Sequence, residues 1–193
     1  AGGLVCLLGK VRQALRSDPR RAALGALSLL FSLIQFGFAF FRVSYAVYGY
    51  AVMAYVYAFV ILCMAFDRRA SHLPFFLALG LIGIYMLGVK VHERYLLPAL
   101  PLLLAAYVLV RDRRLLALFT GLSITTFINT AIVLDNAILF GAEMGHLNSD
   151  TLALNDALCV CNLALCGYAF WLAWTGLRES DPIRIEEAEK AVP

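Results

Sequence analysis

Charge is what this sequence has least of. Only 15% of its 193 residues are Asp, Glu, Lys or Arg, while 62% are hydrophobic and the mean hydropathy is +0.81. A soluble domain of this size runs nearer half apolar and a quarter charged. The shortage of charge therefore argues against a water-exposed globular domain, and the apolar excess falls in long blocks, as in an integral membrane protein. No soluble domain, internal repeat or low-complexity stretch interrupts those blocks. The cysteines lack metal-ligand spacing: Cys159 and Cys161 stand one residue apart rather than two, no histidine is close in sequence, and Cys6, Cys63 and Cys166 sit in apolar stretches. They read as small buried hydrophobes, and no metal site is expected from them. The net charge of +3 is too small to suggest a nucleic-acid partner.

What is there is a succession of apolar runs long enough to cross a bilayer, for which about 20 residues are needed. They cover Ala22–Phe41, Tyr45–Phe66, Leu73–Val89, Leu96–Val110, Leu115–Phe140 and Thr151–Leu177, the third and fourth being short. The fold class expected is all-α, a polytopic transmembrane bundle of about six spans. Residues 1–21 form a flanking segment, 22–177 the membrane domain and 178–193 a polar, acidic tail. Residues 1–9 resemble the end of a further apolar stretch and the chain starts at Ala1, so it is expected to be part of a longer membrane protein.

The breaks between the runs are unequal in charge. Lys10, Arg12, Arg16, Arg20, Arg21, Arg68, Arg69, Arg111, Arg113, Arg114, Arg178, Arg184 and Lys190 fall on one side, thirteen of the sixteen Lys and Arg. Only Arg42, Lys90 and Arg94 fall on the other. Positive charge is retained in the cytoplasm. Six spans with both termini inside satisfy that rule at every break.

Polar groups nevertheless collect on the side poor in positive charge. Lys90, His92, Glu93, Arg94 and Tyr95 form the connection between the third and fourth runs, and Arg42 closes the first. Asp135 and Asn136 lie near the end of the fifth; Glu143, His146, Asn148 and Asp150 follow, then Asn155 and Asp156. Lys90, His92, Arg94 and Arg42 offer donors to a phosphate, arginine as a fork and lysine as a point charge. The N-terminus of the fourth run, opened by Pro98, adds free N–H groups that favour an anion. A plainer account exists for each residue taken alone. Lys, Arg and Tyr at a span end snorkel and anchor it, and Glu93 pairs with Arg94 or Lys90. Gln35 and Asn129 bond helix to helix, and Asp135, Asn136, Asn155 and Asp156 cap or join helices. The tyrosines Tyr45, Tyr48, Tyr50, Tyr55 and Tyr57 pack or sit at the interface, with an aromatic groove for a lipid or sugar as the lesser alternative.

As a string, Val91-His92-Glu93-Arg94-Tyr95-Leu96-Leu97-Pro98-Ala99-Leu100-Pro101-Leu102-Leu103 resembles the MHERYLFPALPLL signature of bacterial polytopic mannosyltransferases. These are relatives of the eukaryotic enzyme that adds the second mannose of GPI anchors. More loosely it resembles the VHEK segment of the ER glucosyltransferases that extend lipid-linked oligosaccharide. All belong to the GT-C glycosyltransferase superfamily. Val91 stands where methionine is usual and Leu97 where an aromatic is common, and neither touches the polar core of the string.

The resemblance implies a polyprenyl-phosphate sugar donor, with mannose as the sugar, used on the external face of a bacterial cytoplasmic membrane. No nucleotide cofactor is expected; a divalent metal stays open. It implies donor-phosphate contacts from His92, Arg94 and Lys90, with Glu93, Tyr95, Arg42 and Asn136 in support. A carboxylate base would activate the acceptor hydroxyl, and cations would stabilise the leaving phosphate. The superfamily's catalytic aspartate usually lies in the first external loop. Here that loop is Arg42–Ser44 and carries no carboxylate. The chain thus looks like the C-terminal half of such an enzyme, partnered by an N-terminal half or a second membrane subunit, with Asp135 and Glu93 as the weak candidates for the base. A binding or transport module for lipid-linked saccharides and a non-catalytic assembly subunit are the alternatives. A transporter should show broken spans near the midplane; the strongest polar cluster here is at one face, which argues against it.

Overall fold

The computed structural model of the chain describes residues 18–41, 43–88, 93–140 and 149–178. All regular structure among them is helical: α1 (Pro19–Phe41), α2 (Tyr45–Phe66), α3 (Leu73–Leu87), α4 (Ala99–Val110), α5 (Arg113–Phe140) and α6 (Ser149–Thr175). Two 3₁₀ turns, Ala70–His72 and Glu93–Leu96, precede α3 and α4. Five helical stretches are long and apolar enough to cross a membrane, counting the first 3₁₀ turn with α3. The chain is an all-α polytopic integral membrane protein.

Several boundaries have a visible local cause. Asp18 accepts a hydrogen bond from the Arg21 N–H at 3.1 Å, and Pro19 occupies the first helical position. An N-terminal carboxylate and a proline whose missing N–H needs no partner start the helix. This places the start of α1 three residues ahead of the expected Ala22. Gly176 closes α6 at φ +82°, its N–H bonded to the Leu172 carbonyl at 2.9 Å, a left-handed cap that suits glycine. Arg111 closes α4 in the same region at φ 61°, a costlier choice for a side chain with a Cβ.

The fourth helix is the one that departs from expectation. It spans 12 residues, or about 18 Å at 1.5 Å per residue, well under a hydrocarbon core of about 30 Å. The physical reason is Pro98. Its ring disfavours helical geometry at Leu97, so Glu93–Leu96 forms a separate 3₁₀ turn, and α4 begins at Ala99 with Pro98 as its cap (φ −65°, ψ −19°).

α3 is the hub of the bundle. It packs against α2, α4 and α6, while α1 leans on α2 and α5 joins α4 to α6. Phe75, Phe76, Leu79 and Ile82 of α3 are buried among Phe59, Leu103, Leu118 and Leu172. At Gly83 an added Cβ would lie 2.8 Å from Val56 Cγ1 and 3.3 Å from Phe170 Cζ, so the missing side chain lets α2 and α6 close on α3. α1 is peripheral: Leu24 is its one buried residue, and Leu29, Leu30, Leu33, Phe36 and Phe40 are exposed, as befits a lipid-facing helix.

Candidate functional site

The two ends of the bundle differ chemically. At one end, hydrogen bonds tie together the helix termini that carry most of the described arginines. Asp112 accepts from Arg114 Nη2 at 2.7 Å, from Arg114 Nε at 3.0 Å and from the Arg178 N–H at 2.9 Å. Arg114 Nη2 also donates to the Gly176 carbonyl at 2.8 Å, and its guanidinium sits 5.8 Å over the Trp171 ring. Beside this clasp, Arg20 Nη2 donates to the Ala173 carbonyl at 2.6 Å, and the buried His72 Nδ1 lies 2.7 Å from Asp67 Oδ2. Burial alone would raise the Asp112 carboxyl; the Arg114 and Arg178 hydrogen bonds outweigh it and hold the group below its usual range. The contacts of Arg114 with Gly176, Asp112 with Arg178 and Arg20 with Ala173 join residues 62 to 153 positions apart in the chain, and none of Asp67, His72 or Asp112 stands out in the sequence. This clasp is structural: its charged groups tie helix ends together.

The opposite end carries the VHERY string. Its described part, Glu93–Leu96, packs against α3 and α5 and touches α4. Leu96 is the anchor, 1% exposed, whereas Tyr95 is more than half exposed. The buried leucine fixes the turn at the mouth of the bundle and leaves Tyr95 at the surface. The first turn of α4 starts three residues beyond Leu96, but its Leu100 N–H is bonded to the Leu97 carbonyl at 3.2 Å and Pro101 has no N–H, so the turn lacks the row of free donors expected there for an anion. Lys90, His92 and Arg42 lie outside the described residues, as do Glu143, His146 and Asn148. So do the side chains of Glu93, Arg94, Asp135, Asn136 and Asp150.

The level of Asp135 along the bundle follows from a neighbour. Asn129 Nδ2 donates to Tyr85 Oη at 3.1 Å, tying α5 to α3 as expected of an interhelical amide. Asp135 is six residues further along α5, about 9 Å closer to the α5 terminus, and α3 ends at Leu87, two residues past Tyr85. The Asp135 backbone therefore stands just past the end of α3, in the layer where the chain leads into the VHERY string. On α6, Asn155 is partly buried and Asp156 exposed. The structure brings the backbones of Glu93–Tyr95 and Asp135–Asn136 to one end of the bundle.

The same end holds a feature that reading the residues one by one does not reveal. A cleft of about 860 Å³ opens between the end of α1, the start of α2 and the end of α3, lined by Gln35, Phe38, Ala39, Val43, Tyr45, Tyr48, Leu87 and Gly88. Gln35 reads in the sequence as interhelical glue. In the fold its Oε1 and Nε2 are buried and have no hydrogen-bond partner among the described residues. Among the tyrosines of α2, Tyr45, Tyr48, Tyr50 and Tyr57 are exposed, while Tyr55 stacks on Phe31 at 4.1 Å and shares a hydrogen bond with Ser28. Of the cysteines read as small buried hydrophobes, Cys63 and Cys166 are buried, whereas Cys159 and Cys161 are exposed. Among the described residues no three His, Cys, Asp or Glu side chains gather as a metal site requires.

Comparison with protein-family models, curated proteins and solved structures finds no match to this chain.

Proposed function

We propose that the chain is a membrane glycosyltransferase, or the C-terminal half of one. In this reading it transfers a sugar, mannose by resemblance, from a polyprenyl-phosphate donor to an acceptor on the external face of a bacterial cytoplasmic membrane. The observation that carries the reading is the Val91–Leu103 string. Its position supports the reading: a 3₁₀ turn anchored by Leu96 at the entrance to α4, at the end of the bundle away from the arginine clasp. A lipid-linked phosphate puts its headgroup at that depth and its chain in the bilayer.

In the proposed mechanism His92 and Arg94 hold the donor phosphate, with Lys90 as a further point charge. These cations gain most as the glycosyl–oxygen bond breaks and the phosphate takes up the electron pair. Glu93 orients Arg94, and Tyr95 supports the turn. Arg42 and Asn136 are assigned supporting roles. Asp135, by its level on α5, is the candidate for the base that takes the acceptor's hydroxyl proton. The test is transfer of radiolabelled mannose from polyprenyl-phosphate mannose by the complete protein in proteoliposomes. His92→Ala and Arg94→Ala are each expected to lower the rate at least about tenfold, the worth of one charge-assisted hydrogen bond. Unchanged rates in both variants would remove the phosphate role.

A second reading is favoured by one measurement. α1 ends at Phe41 and α2 begins at Tyr45, so their connection is three residues with no carboxylate. The base then comes from another chain or another part of the protein, and this bundle serves as a donor-binding subunit. Copurification of a second membrane protein whose addition restores transfer supports that reading over the self-sufficient enzyme.

A further inference from the structure

The cleft at the motif end has an unusual chemistry for a surface within a membrane. Its lining is apolar and aromatic except for the Gln35 amide and the hydroxyls of Tyr45 and Tyr48, and no charged residue appears among the described lining residues. Gln35 is six residues from the end of α1, about 9 Å below it. Both polar atoms of its amide are buried there without a partner among the described residues. Leaving a buried donor or acceptor unpaired costs about 1–3 kcal/mol, and leucine would fill the same space on a lipid-facing helix at no such cost. A group that donates to Oε1 and accepts from Nε2 removes the penalty.

The cleft discriminates among the parts of a lipid-linked saccharide. An isoprenoid or acyl chain would leave the amide unpaired. A phosphate would leave the amide Nε2 with an acceptor but give Oε1 no donor when fully ionised. A neutral ring bearing adjacent hydroxyls supplies one donor and one acceptor to the planar amide, and its C–H surface suits the Phe38, Tyr45 and Tyr48 rings. The volume of about 860 Å³ lies within the range of about 300–1,000 Å³ usual for small-molecule sites. The cleft is also next to the proposed phosphate site in the chain, since its lining residue Gly88 stands two positions before Lys90 and four before His92.

We infer that this cleft holds the uncharged, hydroxylated ring of the lipid-linked saccharide, with Gln35 as the residue that distinguishes a sugar-bearing lipid from the bare polyprenyl phosphate. The inference rests on the proposed function and deepens it: the VHERY segment takes the phosphate, and the cleft takes the ring.

The experiment measures binding of polyprenyl phosphate and of polyprenyl-phosphate mannose to the full chain in nanodiscs. Wild type is expected to prefer the mannosylated lipid. Gln35→Leu is expected to lose that preference by about tenfold, one or two lost hydrogen bonds, to bind the bare lipid as wild type does, and to melt no lower than wild type. Tyr48→Phe, a smaller change, is expected to reduce the preference in the same direction. A Gln35→Leu protein that keeps the full preference overturns the inference. So does a marked fall in melting temperature, which would mean the amide is already paired in the apo fold. Equal binding of both lipids by wild type overturns the cleft assignment while leaving the phosphate reading standing. Binding of neither lipid overturns both.

Discussion

At the residue scale, Asp112 is where the sequence is least informative and the fold most dependent. In the sequence it is one acid among arginines in a short break. In the fold it is 5% exposed and accepts from Arg114 and from the Arg178 backbone, so that the start of α5 and the end of α6 share one carboxylate. Asp112→Asn keeps the shape and removes the charge, leaving Arg114 poorly compensated. The expected loss is about 2–3 kcal/mol, read from unfolding in mixed micelles. The sign of its pH dependence follows from a carboxyl held below its usual value in the folded state. The contribution is complete above the unfolded carboxylate pKa of about 3.9, shrinks as pH falls below it, and is gone below the folded value. The stability gap between wild type and Asp112→Asn is therefore constant near neutrality and closes in acid; a gap that widens in acid would contradict the assignment. Gln35 has the opposite character. Nothing among the described residues pairs it, and its meaning appears only when the cleft around it is seen.

At the scale of elements, the apolar pattern marks most helix ends well. Phe41, Tyr45, Phe66, Leu73, Val110 and Phe140 are boundaries both in the hydropathy pattern and in the fold. These ends coincide because charge, proline or a polar break stops both the apolar run and the helix. The other six ends shift by two or three residues, and the two largest shifts have local causes that hydropathy does not weigh: the Asp18–Pro19 start of α1, and the effect of Pro98 on Leu97 that shortens α4. Glycine shows how packing separates two residues that look alike in a sequence. A Cβ added at Gly83 would meet Val56 Cγ1 at 2.8 Å, whereas one added at Gly37 meets nothing within 4 Å among the described residues. Gly83→Ala gains about 1 kcal/mol of helix propensity but incurs overpacking of about 1–3 kcal/mol against a branched side chain, for a net loss. Gly37→Ala keeps the gain. Thermal melts of the two variants in the same detergent are expected to move in opposite directions, Gly83→Ala downward.

At the scale of the whole molecule, the fold divides the polar residues between two ends of different chemistry. One end spends Arg20, Asp67, His72, Asp112 and Arg114 on holding helix termini together. The other gathers the VHERY turn, the Asp135 level of α5 and the Gln35 cleft around the end of the hub helix α3. The second end was legible in the sequence as a string and a charge asymmetry, because a contiguous motif needs no folding to be recognised. The clasp was not legible, and the cleft was legible only as an alternative, an aromatic groove on the tyrosines of the second run. The clasp joins residues more than sixty positions apart, and the cleft exists only where α1, α2 and α3 meet. The central claim concerns the motif end, and it is tested most directly by equilibrium binding of polyprenyl-phosphate mannose to the complete protein in nanodiscs, wild type against the His92→Ala/Arg94→Ala double variant. The account predicts saturable binding by wild type, weakened about a hundredfold in the double variant if each contact contributes about 1.4 kcal/mol. Equal affinity in the two proteins, with both folded by their melting profiles, would contradict it.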